Sequence, residues 1–406
     1  MTRAGEWPTD LDVQTALAEG FRPYAFREFV LKIHQRCNLA CDYCYVYTMG
    51  DHSWRDRPGV MSIEVLRMAA ARIAEHARAH DLRTIRVILH GGEPLLAGHR
   101  RLGTLITELK NSVGDDRQLR IAVQTNGVLL NEPMLDLFRA EGVQVGVSLD
   151  GADNDRHRRY ADGRGSTADV ERALALLADD RYHLIFAGIL CTVDVTADPV
   201  RTYEALLRYQ PPLIDFLLPH ANWTRPPSRP AGAAQAYGDW MVAVFDRWYD
   251  APRRETRIRI LEEILSLVLG GASRSEQVGL SPVTVAVVES DGDIEQVDSL
   301  KSAYPGACAT GLNVATDSFD RALRHPGIMA RQLGVAALGS VCTACPIHQW
   351  CGAGHYAHRY AAGTGFRNQS VYCNDLSRII THVRRRIVAD IAERTGRQRR
   401  CSSDIG

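Results

Sequence analysis

The sequence predicts an α/β fold in which strand and helix alternate six times, followed by a loop-rich, cysteine-bearing C-terminal region. Three observations carry this. Short β-branched runs alternate with amphipathic stretches between residues 28 and about 221, the pattern of parallel βαβ units. Four of the six strands end directly in a glycine- or cysteine-bearing turn, which sets polar residues at carboxyl strand ends, where parallel sheets and barrels build their sites. Seven of the ten cysteines fall in two tight groups, residues 37–44 and 342–373.

The strands are expected at "EFVLKI" (28–33), "IRVILHGG" (85–92), "RIAVQTNG" (120–127), "VQVGVSLDG" (143–151), "HLIFAGILCTV" (183–193) and "LIDFLLPH" (213–220). Between them, stretches such as "SIEVLRMAAARIAEHARA" (62–79) and "PMLDLFRAEG" (133–142) repeat apolar residues at helical spacing. Residues 1–27 form a short N-terminal segment, and residues 28–221 the repeating core. The Pro/Gly/Ala-rich "NWTRPPSRPAGAA" opens a linker and bridging helices over 222–280, with 235–270 helical. Residues 281–380 begin with a β-hairpin around Asp291–Gly292 and hold the second cysteine group. Residues 381–406 read as a basic helix and tail, a solvated face.

Formal net charge is +0, so no global field recruits nucleic acid or an anionic membrane. Arginine nearly replaces lysine, which occurs only at Lys32, Lys110 and Lys301; this reads as composition bias. The N-terminus lacks a signal-peptide core and no apolar run is long enough to span a bilayer. A cytoplasmic, reducing location is therefore expected, where clustered cysteines are metal ligands or catalytic rather than disulfides.

Cys37, Cys41 and Cys44 follow the first strand at once, in "HQRCNLACDYCYVYT". A structural zinc site wants four ligands and a disulfide two. Three thiolates can hold three irons of a 4Fe–4S cluster and leave the fourth open to a small chelating molecule. Zinc completed by His34 or His52 is the plainer alternative. Tyr43, between the last two cysteines, is placed to pack on a bound ligand.

This spacing, with an aromatic before the third cysteine, resembles the signature of the radical S-adenosylmethionine (radical SAM) enzymes. Further motifs of that family recur in order at the following strand ends. "HGGEP" (90–94) resembles the segment that holds the ammonium of SAM, and implies roles for Gly91, Gly92, Glu93 and Pro94. "QTNG" and "SLDG" imply that Gln124, Asn126 and Ser148 line the ribose and carboxylate side. The resemblance implies a partial (β/α)6 TIM barrel, a 4Fe–4S cluster and SAM as cofactors, and a 5′-deoxyadenosyl radical that takes hydrogen from an unactivated carbon. It also implies an electron donor such as flavodoxin or ferredoxin; with the charge balance and the lack of a long apolar run, neither nucleic acid nor membrane is expected as partner.

Cys342, Cys345, Cys351 and Cys373 supply four thiolates, which by chemistry fit zinc or a fully ligated iron–sulfur cluster. Their spacing resembles the SPASM extension, whose full pattern of seven cysteines holds two auxiliary 4Fe–4S clusters. Here Cys308 matches the first of those seven, His355 stands where another is expected, and no cysteine lies between Cys308 and Cys342. One auxiliary cluster is expected. Cys191 and Cys401 are expected to be unliganded.

"YVYTMGDHSWRDRP" (45–58) and "CGAGHYAHRYAAGTGFRNQSVYC" (351–373) resemble FxsB-type peptide maturases. That likeness implies an aromatic-ring-to-Cβ crosslink, a cyclophane, made in a ribosomally synthesised precursor peptide of leader plus core. Thioether formation and oxidation of Ser or Cys to formylglycine are alternative activities of the same class; a non-catalytic zinc-binding module is a more distant one. Asp150 and Asp215 are candidate proton acceptors. "RHRRY" (156–160) reads as an exposed basic turn, although its charge suits a carboxylate, and "LPHANW" (218–223) as a strand cap or a substrate contact. The hairpin at 283–298 is expected to offer a free edge on which the precursor pairs as a strand.

Overall fold

The computed structural model describes residues 6–114 and 117–403, with side chains to residue 393. Part of the N-terminal segment, the side chain of Cys401 and the end of the tail thus lie outside the described residues. The six expected strands form as β1 Glu28–His34, β2 Thr84–Gly91, β3 Gln118–Thr125, β4 Gln144–Ser148, β5 Phe186–Thr192 and β6 Leu213–Leu217. All pair in parallel and in sequence order. Helices α1 Val13–Ala18, α2 Ile63–Ala79, α3 His99–Val113, α4 Glu132–Ala140, α5 Thr167–Ala178 and α6 Pro199–Leu207 precede or connect them. Their starts are written in the sequence. Ser62, Asn131 and Asp198 cap α2, α4 and α6 by accepting a backbone N–H three residues on, and prolines occupy the first turns of α4 and α6.

Strand β1 runs through the middle of the protein. Phe29, Leu31 and Ile33 on one face and Lys32 on the other are fully buried, as in a parallel sheet covered on both sides. Buried residues of α2, including Leu66, Ala70 and Ile73, join the same apolar core as β1 and β2. The sheet is open, which leaves its carboxyl edge as a mouth.

Two features differ from expectation. The stretch 235–270 is not one helical run: α7 Ala236–Tyr249 and α8 Arg259–Val268 flank β7, Arg257–Ile258, which adds to β6 in parallel. Pro252, just past the end of α7, cannot supply the N–H a continuing helix needs. The hairpin forms as β8 Val285–Val288 and β9 Asp293–Glu295, but β8 also pairs in parallel with β1, and β9 is covered by antiparallel β10, Ala309–Asn313. The hairpin therefore extends the sheet of the repeating core, and the expected free edge on it is already paired. Backbone hydrogen bonding drives this, since an uncovered strand leaves a row of unmet donors and acceptors.

Beyond β10 the chain makes short helical turns and ends in a long helix, Cys373–Ser403, packed on α7. No helix among the described residues is long and apolar enough to cross a membrane.

Candidate active site

The carboxyl ends of β1 to β6 surround one cavity of about 230 Å³. The loop after β1 brings Cys37, Cys41, Cys44 and Tyr43 to it; β2 brings His90, Gly91 and Gly92; β3 brings Gln124 and Asn126; β4 brings Ser148 and Asp150. The three thiols lie close enough to raise one another's proton affinity, but burial is the larger effect, pushing Cys37 up to about 12 and Cys41 to about 11. Thiols so placed stay protonated until a metal takes the proton's place.

The two glycines are there for want of space. A Cβ on Gly91 would stand 2.0 Å from the carbonyl oxygen of His34, and one on Gly92 1.7 Å from the Tyr47 hydroxyl. That hydroxyl donates to the carbonyl of Gln35 at 2.7 Å. So the β2 end packs directly against the cysteine loop, backbone to backbone.

Glu93 does something other than face the cavity. It is fully buried, accepting from Leu95 N–H at 2.9 Å and the Thr125 hydroxyl at 2.7 Å on one oxygen, and from Asn126 N–H at 2.7 Å on the other. It braces the β2 turn to the end of β3, despite a burial that raises its proton affinity. Pro94 opens the buried turn Pro94–Ala97 and lies outside the cavity lining. The Asn126 side chain donates to Asn38 Oδ1 at 2.8 Å within the cysteine loop, and Gln124 donates to Ser148 Oγ at 3.1 Å.

Asp150 is held at the cavity wall by three groups. Tyr43 O–H donates to Oδ2 at 2.5 Å, Thr192 N–H donates to Oδ1 at 2.9 Å, and Arg158 donates to the Tyr43 oxygen at 2.9 Å. Burial raises the proton affinity of Asp150, and the Arg158 cation works against that rise. The basic turn expected to be exposed thus buries Arg158, because the short helical turn Gly151–Arg156 folds it back under the cysteine loop. Asp215 lies deeper. Two residues before Leu217 on β6, it is fixed by Arg259 at 3.2 Å and Gln277 at 3.2 Å and does not line the cavity.

Lys32 and Lys301 had no role in the sequence reading. Lys32 is buried in an ion pair with Asp298 at 2.5 Å, its ammonium 3.2 Å from His90 Nδ1. Burial first, then Lys32, lowers His90 to about 4, so the imidazole is neutral at the cavity wall. Lys301 bridges Glu289 at 2.5 Å and Glu295 at 3.1 Å. The signal was available: in a chain that has nearly replaced lysine by arginine, two of the three lysines that remain are buried.

The second cysteine group gathers elsewhere. Cys342 and Cys345 sit on and just after a helical turn, Cys351 closes the turn His348–Cys351, and Cys373 opens the terminal helix. Burial raises the proton affinity of Cys342, Cys351 and Cys373, Cys351 to about 12, and neighbouring thiols of the group add to each rise. Buried Arg359 lies near Cys342 and Cys351 and donates to the carbonyls of Gly352 and Gly354, both at 2.6 Å. Cys308 is apart from them, buried with its sulfur 3.3 Å from the carbonyl of Val297. Cys191 is packed in the core.

The donor sets fit the expected groups. Three thiols at a cavity suit a 4Fe–4S cluster with one open iron, and four suit a closed one.

Comparison with known proteins agrees with this architecture. Residues 31–204 match the radical SAM superfamily. The cysteine-type anaerobic sulfatase-maturating enzyme of Clostridium perfringens (strain 13 / Type A) is 28% identical over 272 residues, 64% of this chain and 71% of that protein. The serine-type anaerobic sulfatase-maturating enzyme of Klebsiella aerogenes is 24% identical over 369 residues, 85% of this chain and 83% of that one. Among solved structures, native anSMEcpe with bound AdoMet and Cp18Cys peptide superposes with a TM-score of 0.77 at 21% identity, covering 91% of this chain and 99% of that one. Streptococcus suis SuiB bound to precursor peptide SuiA gives 0.59 at 12% identity, covering 89% and 78%. At such identities the structures establish the fold: a radical SAM α/β core followed by a SPASM-like C-terminal region. The match to the radical SAM superfamily thus falls on residues 31–204, the stretch that carries the cysteine loop and β1 to β5.

Proposed function

We propose that this chain oxidises a side chain of a peptide or protein substrate by radical SAM chemistry. The observation that carries the proposal is the single cavity at the carboxyl ends of β1 to β6. It joins the three thiols, the glycine pair, Gln124, Asn126 and Ser148, and the Tyr43–Asp150–Arg158 chain. Cys37, Cys41 and Cys44 would hold the 4Fe–4S cluster, and Gly91 and Gly92 give the close backbone approach that a SAM ammonium needs. With reductant, cluster and SAM together supply a 5′-deoxyadenosyl radical.

The residues then have distinct tasks. Gln124, Asn126 and Ser148 orient the polar half of SAM. Asp150, with raised proton affinity beside a fixed cation, takes the proton released when the substrate carbon is oxidised. Cys342, Cys345, Cys351 and Cys373 would hold an auxiliary cluster that accepts the second electron.

The reading best supported is conversion of a Cys or Ser side chain to a formylglycine-type aldehyde, because sulfatase-maturating enzymes match over most of the chain. A second reading is cyclophane formation in a precursor peptide. What favours it is position: within residues 351–373, the stretch resembling cyclophane maturases, His355 and His358 pack on His220, which itself lines the cavity.

The test is anaerobic turnover with SAM and reductant on a sulfatase-derived cysteine peptide and on a peptide carrying a three-residue aromatic motif. An aldehyde reacts with a hydrazide; a cyclophane suppresses backbone fragmentation within the ring in tandem mass spectra. Absence of 5′-deoxyadenosine from a fully reconstituted protein would overturn both readings.

A further inference from the structure

We propose that His220, His355 and His358, with Glu276, form a mononuclear site for a divalent first-row transition metal ion, separate from both cysteine groups. The backbone brings the rings together from two places. His220 ends the segment after β6, and His355 caps the tight turn Tyr356–Arg359 that contains His358. In such a turn residues three apart eclipse one another, so His355 and His358 present their rings on one side. Ring centroids lie 5.4 Å apart for His220 and His355, 5.8 Å for His220 and His358, and 5.0 Å for His355 and His358. One nitrogen from each ring lies within 4.8 Å of the other two.

The independent observation is what these nitrogens lack. His358 is 4% exposed, yet neither Nδ1 nor Nε2 has a hydrogen-bond partner, and Nδ1 of His220 is likewise buried and unpartnered. A buried imidazole normally has at least one nitrogen engaged, so the unpartnered ring of His358 and the unpartnered Nδ1 of His220, in a group whose rings each bring one nitrogen together, call for a ligand. His355 uses Nδ1 to accept from Ala357 N–H at 3.2 Å, which leaves Nε2 free, 3.8 Å from a carboxylate oxygen of Glu276. Glu276 is oriented by Arg331 at 3.1 Å, the kind of outer contact that fixes a ligating carboxylate.

Three imidazoles and a carboxylate suit zinc or ferrous iron better than calcium or magnesium. Around a tetrahedral ion at about 2.0–2.1 Å the donors stand about 3.4 Å apart, within reach of small side-chain rotations from the observed spacing. His355 occupies a place where the full seven-cysteine pattern has a thiol, so the ion would tie the 351–373 segment to the end of β6 by nitrogen ligands. His220 also lines the reaction cavity, and a second cavity of about 220 Å³ is lined by all three histidines and Glu276.

The experiment uses the full chain with both cysteine groups reconstituted with iron and sulfide, then incubated with Zn²⁺ and desalted. About one zinc per chain is expected, with nitrogen or oxygen scatterers at about 2.0–2.1 Å and no sulfur shell near 2.3 Å in zinc K-edge absorption. His358→Ala and His220→Asn should each lower bound zinc at least about tenfold, while iron content is unchanged. No zinc in the wild-type chain, a sulfur shell, or zinc unaffected in both variants would overturn the site, the first result pointing to buried water instead. The wild-type absorption spectrum decides the matter even if neither variant folds.

Discussion

The two cysteine groups are built from the same side chain and are placed in opposite settings. Cys37, Cys41 and Cys44 stand at the mouth of a sheet and line a cavity. Cys342, Cys345, Cys351 and Cys373 come from two short helical turns, the link between them and the start of a long helix, and offer four thiols. Each group has one buried arginine beside it. Arg158 spends its hydrogen bond on Tyr43, which in turn holds Asp150, so its charge is transmitted to a group facing the cavity. Arg359 spends its hydrogen bonds on the carbonyls of Gly352 and Gly354, so its charge stays with the fold. On the function proposed above, the coordination position left over and what the neighbouring cation is tied to would decide whether a thiol cluster reacts or only carries electrons.

The strongest way to break this comparison is to remove each group in turn. Replacing Cys37, Cys41 and Cys44 together by alanine is expected to abolish 5′-deoxyadenosine release and to lose about four irons per chain. Replacing Cys342 and Cys351 instead should lose a similar amount of iron while SAM cleavage persists and peptide product is lost. Iron analysis with nucleoside chromatography measures both. If either variant emptied both sites, the groups would not be independent.

Next come the arginines. A charge-assisted hydrogen bond at a buried site contributes about 1.5–3 kcal/mol, so Arg158→Met should slow peptide oxidation about 10- to 100-fold. Since Arg158 lowers the proton affinity of Asp150, its removal raises that affinity further, and the acid limb of the rate–pH profile should move to higher pH. Arg359→Met should leave the pH profile in place and show its effect as iron lost from the second group. A pH limb that stays fixed in Arg158→Met would confine Arg158 to a structural role.

The smallest effect expected is at Glu93. Glutamine there would set an amide N–H₂ against donors from Leu95 and Thr125 or from Asn126, at a cost of about 1–3 kcal/mol. A melting temperature lower by several degrees, with SAM affinity falling only in step, is the expected result of Glu93→Gln. Weaker SAM binding at an unchanged melting temperature would instead make Glu93 a direct contact.

Much of the site could be read from spacing. The thiol loop, the glycine pair and the polar residues ending β3 and β4 are local signals, and they meet because parallel strands of one sheet deliver their ends to one edge. Glu93 and Pro94 were legible as part of a motif but not as braces, because hydrogen-bond partners 32 and 33 residues away are invisible in a local pattern. Arg158 looked like one more charge in an exposed turn. Only the fold shows that this turn is tucked beneath the cysteine loop.

Alone, the sequence determined the order of β1 to β6 and of the helices between them, the caps of α2, α4 and α6, and the two thiol inventories, since each depends on residues a few positions apart. Tertiary structure decided that β8 joins β1, that Lys32 meets Asp298 and that three histidines converge. Those contacts join residues far apart in the chain, and they offset the cost of burying backbone and charged groups that no local pattern obliges to meet.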